Sequence, residues 1–514
     1  MRLSSKLLSL SLGLALTAFG AACGAKQTPE PELPPPVEEA VAEPEPAPPP
    51  SAPDEPWRAE QPKPGEPAKI VPPTFESAKL KNGLTVILSR REGLPLVAVH
   101  LTQQVGSGSE PAAKAGLAYL TYEMLLQGAG KRDALALADA FADLGTTATP
   151  SVSDDGGTVG LSVLKRNLGG ALALLSDVIQ RPTFPAKEFE RQKKARLADL
   201  ARMAGNPQYL SKEATAEAIF GAQHPYGHLA IGKTETVEKL QLKDVKGFAK
   251  ANFGPKAAAL VFAGDLTLEE AKALAQEHFG KWKGKGRAFK APKAPKASPR
   301  TAVTVVPKEG LGQTVITIGK PGLAAGHPDE WALRIASSVF GGLFSSRLNM
   351  NLREDKGYTY GARAYADTRL GAGPVMAASA VRADVTGPSV KEFFAELEGL
   401  ASRPIEEKEF SDAVEGARRS LPGWFESVEA LAGSADSLFL ERQPLDRYGR
   451  MLAAYDTLTL EQVREVAKKV FVPGEMQIIL VGDPTIIAEQ VGPLGLGEVP
   501  AAPAKAEPEA KKAE

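Results

Sequence analysis

The same order of structural elements is predicted twice along this chain of 514 residues. Each copy opens with residues typical of strands, continues with helical spacing, and closes with an apolar strand that runs into Gly-Asp. These closing pairs are Gly264 with Asp265 and Gly482 with Asp483. Each copy is about 200 residues long, enough for a complete domain. We therefore predict an α+β fold of two tandem homologous domains, each a largely antiparallel sheet with helices packed on one face.

Hydrophobic periodicity locates the elements of each copy. The predicted strands are at residues 80–88, 96–101, 146–151, 158–163 and 258–263, and then at 303–306, 313–319, 358–367, 375–380 and 477–481. The predicted helices are at 116–127, 134–144, 168–179, 188–203 and 268–279, and then at 331–340, 347–354, 389–401 and 406–421.

Composition outside the repeat sets the domain boundaries. Residues 27–74 hold 17 of the 42 prolines, and residues 501–514 are almost entirely Ala, Pro, Glu and Lys, so neither stretch can bury a core. Residues 281–300 carry eight Lys or Arg and no acid, which is typical of a solvated connector. The predicted segments are a signal peptide (1–22), a lipid-anchored Pro-rich linker (23–74), an N-terminal domain (75–283), a basic linker (284–300), a C-terminal domain (301–499) and a disordered tail (500–514).

Charge and cysteine content exclude several classes of protein. The 61 basic and 62 acidic residues nearly cancel, and the basic linker lacks interleaved aromatic residues, so we expect no nucleic-acid binding. No long apolar run occurs in the body, which argues against a polytopic membrane protein. A single cysteine excludes a disulfide framework.

That cysteine, Cys23, follows a short basic start and an apolar run of about sixteen residues, the pattern of a secretory signal. The small residues before Cys23 make the segment resemble a bacterial lipoprotein signal, although Gly20 stands where such signals usually have Leu. The resemblance implies cleavage before Cys23 and a diacylglycerol anchor on its thiol, and Gly24 favours the outer membrane. We therefore expect a periplasmic, outer-membrane lipoprotein. The alternative is an ordinary cleaved signal with an incidental cysteine.

Seven short stretches carry a resemblance to a known family. They are VGSGSE at 105–110, GLAYLTYEMLLQG at 116–128, RPTFPAKEFER at 181–191, HPYG at 224–227, IG at 231–232, FGGLFSSRL at 340–348 and LREDKGYTY at 352–360. Together they resemble the insulinase and pitrilysin metallopeptidases, the inverzincins, in that family's order. The resemblance implies a two-domain fold in which two such chains, or two halves of a long chain, close like a clamshell around a peptide.

The zinc motif of that family is degenerate in this chain. In His-x-x-Glu-His the two imidazoles lie four residues apart on one helical face and reach one Zn²⁺, while the glutamate activates the bound water. These positions fall on Tyr119, Tyr122 and Glu123, and the family's distal glutamate falls on Leu197, with Asp199 as the nearest carboxylate. A tyrosine ligand must lose a proton with a pKa of about 10. We expect no metal in this chain and tyrosine rings in the space of the metal and its water.

The histidines supply no replacement ligands. His224 and His228 form the only close pair, but Pro225 and Gly227 oppose a helix between them, so we expect these histidines to end a helix and pack against the following loop. No role is assigned to the remaining histidines, His100, His278 and His327.

The family resemblance gives Arg353 and Tyr360 a role. In the family an Arg and a Tyr at this spacing face the zinc across the clamshell, hold the substrate and stabilise the developing oxyanion. A guanidinium is a permanent planar cation and a phenol adds one directed donor, so both suit that role. The alternative is structural: an Arg that ends a helix and a Tyr that opens a strand.

Because the chain has the Arg353 and Tyr360 pair but lacks the metal motif, we predict that it is one half of an enzyme. We expect the Arg/Tyr subunit of a heterodimeric zinc metallopeptidase, inactive alone, whose partner is a homologous subunit that carries the zinc and whose substrate is a peptide. Two alternatives remain open. One is an active zinc metalloendopeptidase with altered ligands that include Glu123, and the other is a non-enzymatic scaffold that binds peptides or assembly factors.

Overall fold

The computed structural model describes residues 70–499 except 297 and 299. The predicted signal peptide, the anchor at Cys23, nearly all of the Pro-rich linker and the C-terminal tail lie outside these residues. Among the described residues no helix combines the length and the apolar character needed to cross a membrane.

The first half is built on a sheet of six strands. The strands of this half are β1 (Glu76–Lys79), β2 (Thr85–Arg90), β3 (Leu96–Gln103), β4 (Gly128–Ala129), β5 (Arg132–Asp133), β6 (Thr149–Val152), β7 (Gly157–Leu164) and β8 (Ala258–Gly264). The short β4 and β5 pair with each other outside the large sheet, which has the order β1-β2-β8-β3-β7-β6. Its neighbours are antiparallel except β2 and β8, which are parallel.

The second half repeats this plan with a sheet of five strands. They are β9 (Ala302–Pro307), β10 (Gln313–Pro321), β11 (Thr359–Ala366), β12 (Pro374–Arg382) and β13 (Gln477–Gly482), in the order β11-β12-β10-β13-β9. Only β13 and β9 are parallel. The predicted α+β fold with two largely antiparallel sheets is therefore confirmed, and the strands β8 and β13 run into the two Gly-Asp pairs.

Helices connect the strands in both halves. The first half contains α1 (Leu117–Leu125), α2 (Ala134–Ala142), α3 (Leu168–Gln180), α4 (Ala186–Met203), α5 (Pro207–Phe220), α6 (Thr234–Val237), α7 (Leu242–Asn252) and α8 (Leu268–Phe279). The second contains α9 (Glu330–Ser337), α10 (Arg347–Asn349), α11 (Thr386–Ser402), α12 (Glu407–Ser420), α13 (Val428–Leu440), α14 (Arg447–Thr457), α15 (Leu460–Val470) and α16 (Pro484–Val491). Periodicity did not predict α5, α6, α7 or α13 to α16.

One face of each sheet packs on helices of its own half, as predicted. In the first half Val86, Leu101 and Phe262 belong to the core that these helices bury, and in the second half Ile318 and Leu480 do so. All five side chains are almost fully buried. Burial of such aliphatic and aromatic surface is the main favourable contribution to folding.

The opposite face of each sheet is covered by a helix from the other half. Helix α13 lies on β3 and β8, where Leu431 and Ala435 join a buried cluster with Ile87 and Val261. Helix α5 lies on β10 and β13 of the second sheet. The two halves therefore exchange helices, and each completes the core of the other.

Polar contacts reinforce this junction. Arg369 of the second half forms an ion pair with Asp154 of the first, and Asp155 accepts a 2.8 Å hydrogen bond from the Leu370 main chain. The Tyr226 hydroxyl donates to Asp155 at 2.5 Å and accepts from the Gly371 N–H at 3.0 Å.

His100, which received no role from the sequence, bridges the halves as well. Its Nδ1 donates to Asp436 of α13 at 2.6 Å, and the Thr102 hydroxyl donates to the same carboxylate at 2.5 Å.

The basic linker is held more closely than a solvated connector would be. Most of its side chains are exposed, but Phe289 is buried and packs beside Tyr226 with ring centroids 6.3 Å apart. Its main-chain N–H donates to the Gln104 carbonyl at 2.6 Å, and His224 Nε2 donates to the Lys293 carbonyl at 3.0 Å. The buried ring of Phe289 thus holds the basic linker against the domains, whereas its charge predicted a solvated connector.

The helix exchange predicts that the two halves unfold together. Leu431→Ala, which removes a buried side chain from α13, is expected to lower the free energy of unfolding by about 2–5 kcal/mol in a single transition. Chemical denaturation followed by circular dichroism measures both quantities. As a control, Leu135→Ala at a side chain that is 72% exposed should change stability by less than about 0.5 kcal/mol. Two separate transitions in the wild-type protein would contradict the exchange.

Candidate functional site

Helix α1 carries the three positions of the degenerate zinc motif. It begins after Gly116, whose φ of 96° lies in the left-handed region that favours glycine. The buried carboxylate of Glu110 accepts hydrogen bonds from the Gly116 and Ala118 N–H groups, at 2.8 and 2.5 Å, and so caps the helix. Tyr119 and Glu123 lie one turn apart on one face, as their spacing predicts.

Tyr122 is part of the core. Its side chain is fully buried, and its hydroxyl donates to the Val105 carbonyl at 3.0 Å and lies 3.3 Å from the Gly157 carbonyl oxygen. Its ring centroid lies 5.2 Å from that of Phe253. A Cβ atom on Gly157 would come within 2.4 Å of the Tyr122 ring, so the glycine makes room for it. At the position of the family's catalytic glutamate, this protein therefore has a tyrosine ring packed in the core.

Tyr119 stacks against a protein cation. The guanidinium carbon of Arg196, on α4, lies 4.0 Å from the centroid of the Tyr119 ring. Burial raises the pKa of the Tyr119 hydroxyl, with Arg196 acting in the opposite direction, so the phenol stays protonated at neutral pH. The Glu123 carboxylate beside the same hydroxyl also raises its pKa. Arg196 thus supplies positive charge beside the residues that replace the zinc ligands.

The other candidate ligands are also engaged or distant. Leu197 packs against the first core, and Asp199 pairs with Arg202 at 2.8 Å. His224 and His228 lie in the loop after α5, which ends at Phe220, and not at the end of a helix as predicted. Among the described residues no group of three His, Cys, Asp or Glu side chains is arranged to hold a metal ion. A protonated phenol, a core tyrosine and one carboxylate do not fit a tetrahedral zinc site.

Arg353 and Tyr360 line one cavity of about 550 Å³ in the second half. Arg353 lies in a π-helical segment, Met350–Asp355, that continues α10, where a regular helix was predicted. Such segments are rare and are often found at functional sites. The Arg353 guanidinium lies 4.6 Å from the Phe344 ring centroid and 3.3 Å from Glu354, and its side chain stays 39% exposed. Tyr360 is 92% exposed.

A bulge in β11 presents Tyr360 to this cavity. The pairing of β11 with β12 shifts between Thr359 and Ala362, so Tyr360 and Gly361 fall outside the regular ladder. The Thr359 hydroxyl bonds the Ala380 carbonyl at 2.7 Å and thereby fixes the start of the bulge. Strand β11 is the edge strand of the second sheet, so within the described residues no further strand pairs with its other side.

Asn349 links the two candidate residues, and sequence reasoning missed it. Its amide nitrogen donates to the Ala362 carbonyl at 2.8 Å and its amide oxygen accepts from the Ala362 N–H at 2.9 Å. The Asn349 side chain therefore pairs with β11 as a neighbouring strand would. Asn349 is four residues before Arg353 in the sequence, and its partner Ala362 is two residues after Tyr360. The sequence signal for this residue was an asparagine inside the predicted helix at 347–354. In the structure its side chain is buried.

Two family models match the chain. One, described as insulinase (peptidase family M16), matches residues 85–231, and the other, described as the peptidase M16 inactive domain, matches residues 239–416. The chain belongs to the M16 insulinase family. It is an insulinase-family peptidase-like protein with an inactive M16 domain, and among the residues that the structure describes it has no metal-binding group.

Relatives in bacteria share most of the length of this M16 protein. An uncharacterized zinc protease of Mycobacterium bovis is 26% identical over 416 residues, covering 79% of this chain and 92% of the relative. An uncharacterized zinc protease of Bacillus subtilis is 22% identical over 394 residues, covering 76% and 94%.

Solved structures share the fold. A peptidase M16 inactive domain from Pseudomonas fluorescens matches with a TM-score of 0.72 and 24% identity, over 80% of this chain and 98% of that one. A protease from Helicobacter pylori matches with a TM-score of 0.74 and 21% identity, over 80% and 99%. A chain of Complex III2 from Candida albicans matches with a TM-score of 0.68 and 16% identity, over 80% and 96%.

The stacking of Arg196 on Tyr119 gives a test of how this site is held together. Arg196→Met keeps the apolar stem and removes the cation, and is expected to lower the free energy of unfolding by about 1–2 kcal/mol. Arg202→Met on the same helix, at a side chain that is 76% exposed, is the matched control and should be nearly silent. Thermal denaturation with and without EDTA completes the measurement, and we expect no shift from the chelator. A chelator-dependent fall in the melting temperature would contradict this account of the site.

Proposed function

We propose that this chain is the substrate-holding subunit of a two-chain zinc peptidase. The observation that carries the proposal is the contrast between two sites in one molecule. Arg353 and Tyr360 line an open cavity, while Tyr119 and Tyr122 occupy the positions of the zinc motif. A homologous partner with an intact His-x-x-Glu-His motif would supply the metal and the general base.

The chemistry expected of this chain is electrostatic. During attack on a peptide carbonyl, negative charge develops on the oxygen, and fixed donors aimed at that oxygen lower the barrier. The Arg353 guanidinium offers a permanent cation with several N–H donors, and the Tyr360 hydroxyl offers one more. In the proposed complex both donors would face the scissile carbonyl from the wall opposite the partner's active site.

The surroundings of this pair support the proposal because they fix the main chain that carries it. The Phe344 ring contacts the Arg353 guanidinium, and Asn349 ties the helical segment of Arg353 to the strand of Tyr360. Pre-positioned donors cost little reorganisation when charge develops, which is how such groups accelerate a reaction. The exposure of Tyr360 in the single chain leaves it free to contact a partner or a peptide.

Reconstitution with the zinc-bearing homologue tests the role of Arg353. The lone chain should hold no stoichiometric zinc and hydrolyse no peptide, whereas the mixture should do so. Arg353→Ala in the mixture is expected to lower kcat by about 10²- to 10³-fold, the typical effect of removing an oxyanion donor. Steady-state kinetics on a quenched fluorescent peptide measure the loss. The matched control is Arg450→Ala, which removes an exposed arginine that is paired with Asp446 and does not line the cavity.

Two results would overturn this function. Stoichiometric zinc with hydrolysis by the lone chain would favour an active enzyme with altered ligands. A complex that forms normally and is insensitive to Arg353→Ala and Tyr360→Phe would favour the scaffold. The fold shared with a chain of Complex III2 gives that second candidate its support, since the complex contains this fold within a larger assembly.

We further propose that the chain is exported and anchored through Cys23. The basic start, the apolar run and the small residues before this cysteine support a lipoprotein signal. In a Gram-negative host fed radiolabelled palmitate, the wild-type protein should carry label and sediment with outer membranes. Cys23→Ser should lose the label and appear in the soluble periplasmic fraction. An unlabelled, soluble wild-type protein would refute the anchor.

A further inference from the structure

The cavity of Arg353 and Tyr360 has an unbalanced charge. Two further arginines, Arg334 and Arg363, line it, and among the described residues of its wall there is no Asp or Glu. The chain as a whole has 61 basic and 62 acidic residues, so its composition does not account for this excess. A concave wall that carries charge of one sign attracts ligands of the opposite sign.

The three arginines belong to elements that meet at one stretch of β11. Arg334 lies in α9, and the π-helical turn that follows α9 packs on β11, where a Cβ atom on Gly341 would lie 2.5 Å from the Ala364 nitrogen. Arg363 directly precedes Ala364 in β11. The segment of Arg353 is joined to the same stretch by the asparagine contacts described above. All three side chains therefore border one space of ligand size, about 550 Å³.

Two of the guanidinium groups contact aromatic rings. The guanidinium carbon of Arg334 lies 4.6 Å from the Trp424 ring centroid, and that of Arg353 lies 4.6 Å from the Phe344 ring centroid. A ring face holds the plane of a guanidinium without using its N–H donors. Within the described residues neither Arg334 nor Arg363 forms an ion pair or donates a side-chain hydrogen bond. Their donors are therefore available to a ligand.

The acids of a neighbouring cavity leave Arg334 unpaired. Arg334 also borders this second cavity, which contains Glu330 and Glu441. Glu330 forms an ion pair with Arg447, and burial raises the pKa of Glu441 to about 7. In the part of the chain that the structure describes, neither carboxylate forms an ion pair with Arg334.

A ligand can reach all three arginines from solvent. Arg363 is exposed, Arg334 is half-buried, and the Arg353 side chain is 39% exposed. The Glu354 carboxylate lies 3.3 Å from Arg353, but it is itself 40% exposed, and ion pairs between exposed side chains are weak. The positive charge of the cavity is therefore accessible and largely uncompensated.

We propose that this cavity selects acidic peptides, with Arg334 and Arg363 binding a carboxylate beside the scissile bond while Arg353 faces the scissile carbonyl. The carboxylate belongs either to an Asp or Glu side chain or to the C-terminus of the peptide. Guanidinium groups match the planar geometry of a carboxylate and form charge-assisted hydrogen bonds with it. The inference rests on the proposed function, because it takes the ligand of this cavity to be the peptide substrate.

Calorimetric titration of the full chain, without its partner, tests the proposal. N-acetylated and C-amidated Ala-Asp-Asp-Ala should bind about tenfold more tightly than the matched Ala-Asn-Asn-Ala peptide. High salt should remove most of this preference, because it screens exposed charges.

Two variants and one control assign the preference to the arginines. Arg363→Gln removes an exposed charge and should reduce the preference to about threefold or less. Arg334→Gln should do the same, and it keeps the proposal testable if the first variant does not fold. Arg166→Gln removes an exposed arginine of the first half that does not line the cavity, so the preference should stay unchanged.

The outcomes separate the two sources of the carboxylate. Acetylated Ala-Ala-Ala-Ala with a free C-terminus, if it binds as tightly as the amidated Asp peptide, assigns the site to a C-terminal carboxylate. Tight binding of the Asp peptide alone assigns it to an acidic side chain. The proposal would be wrong if no peptide bound saturably, if charge made no difference, or if both arginine variants kept the preference. It would also be wrong if inorganic phosphate bound more tightly than these peptides through the same arginines.

This test and that of the proposed function can fail separately. An acid preference of the lone chain, together with a reconstituted enzyme that is insensitive to Arg353→Ala, would refute the oxyanion role and leave the binding site in place. A kcat that depends on Arg353, without any preference for acidic peptides, would refute the selection of acidic peptides alone.

Discussion

A sheet that is buried on both faces needs a helix on each, and each half of this protein takes one of those helices from the other. Helix α13 covers the first sheet and α5 covers the second. The polar contacts at the junction depend on the apolar area buried by this exchange. That burial brings Asp154, Asp155 and Arg369 together away from bulk water. In that setting ion pairs and hydrogen bonds fix relative position more than they add stability.

The two candidate sites differ in how their side chains are placed. In the first half the helix at the positions of the family's zinc motif is capped by Glu110, and its inward side chain is Tyr122. The positive charge on that side comes from Arg196. In the second half a π-helical segment and a strand bulge direct Arg353 and Tyr360 towards open space. Packed aromatic rings thus occupy the motif positions in one half, while Arg353 and Tyr360 are exposed at a cavity in the other.

Much of this arrangement could be predicted from local sequence. Strand alternation, helical spacing and the paired Gly-Asp endings gave the fold class, and spacing alone placed Tyr119 and Glu123 on one face. Helix α5 was missed because its stripe is weakly apolar, with Ser211 and Thr215 buried beside Ile219. Helix α13 buries Leu431 and Leu438 as well as two alanines, so its apolar spacing was visible in the sequence. Small residues let a helix pack closely on a sheet that is distant in the sequence. The sequence of the helix alone does not identify that sheet. The roles of Asn349 and Arg196 were not predicted for the same reason, because they depend on contacts with other elements.

The exchange of helices also decides where this molecule can move. A hinge between the halves would have to pull α5 and α13 off the sheets they cover and expose aliphatic surface on both sides, which is closer to unfolding than to opening. In the proposed two-chain enzyme, a bulky polypeptide would therefore have to enter by separation of whole chains, so the subunit interface would be its gate and its turnover would depend on association and release.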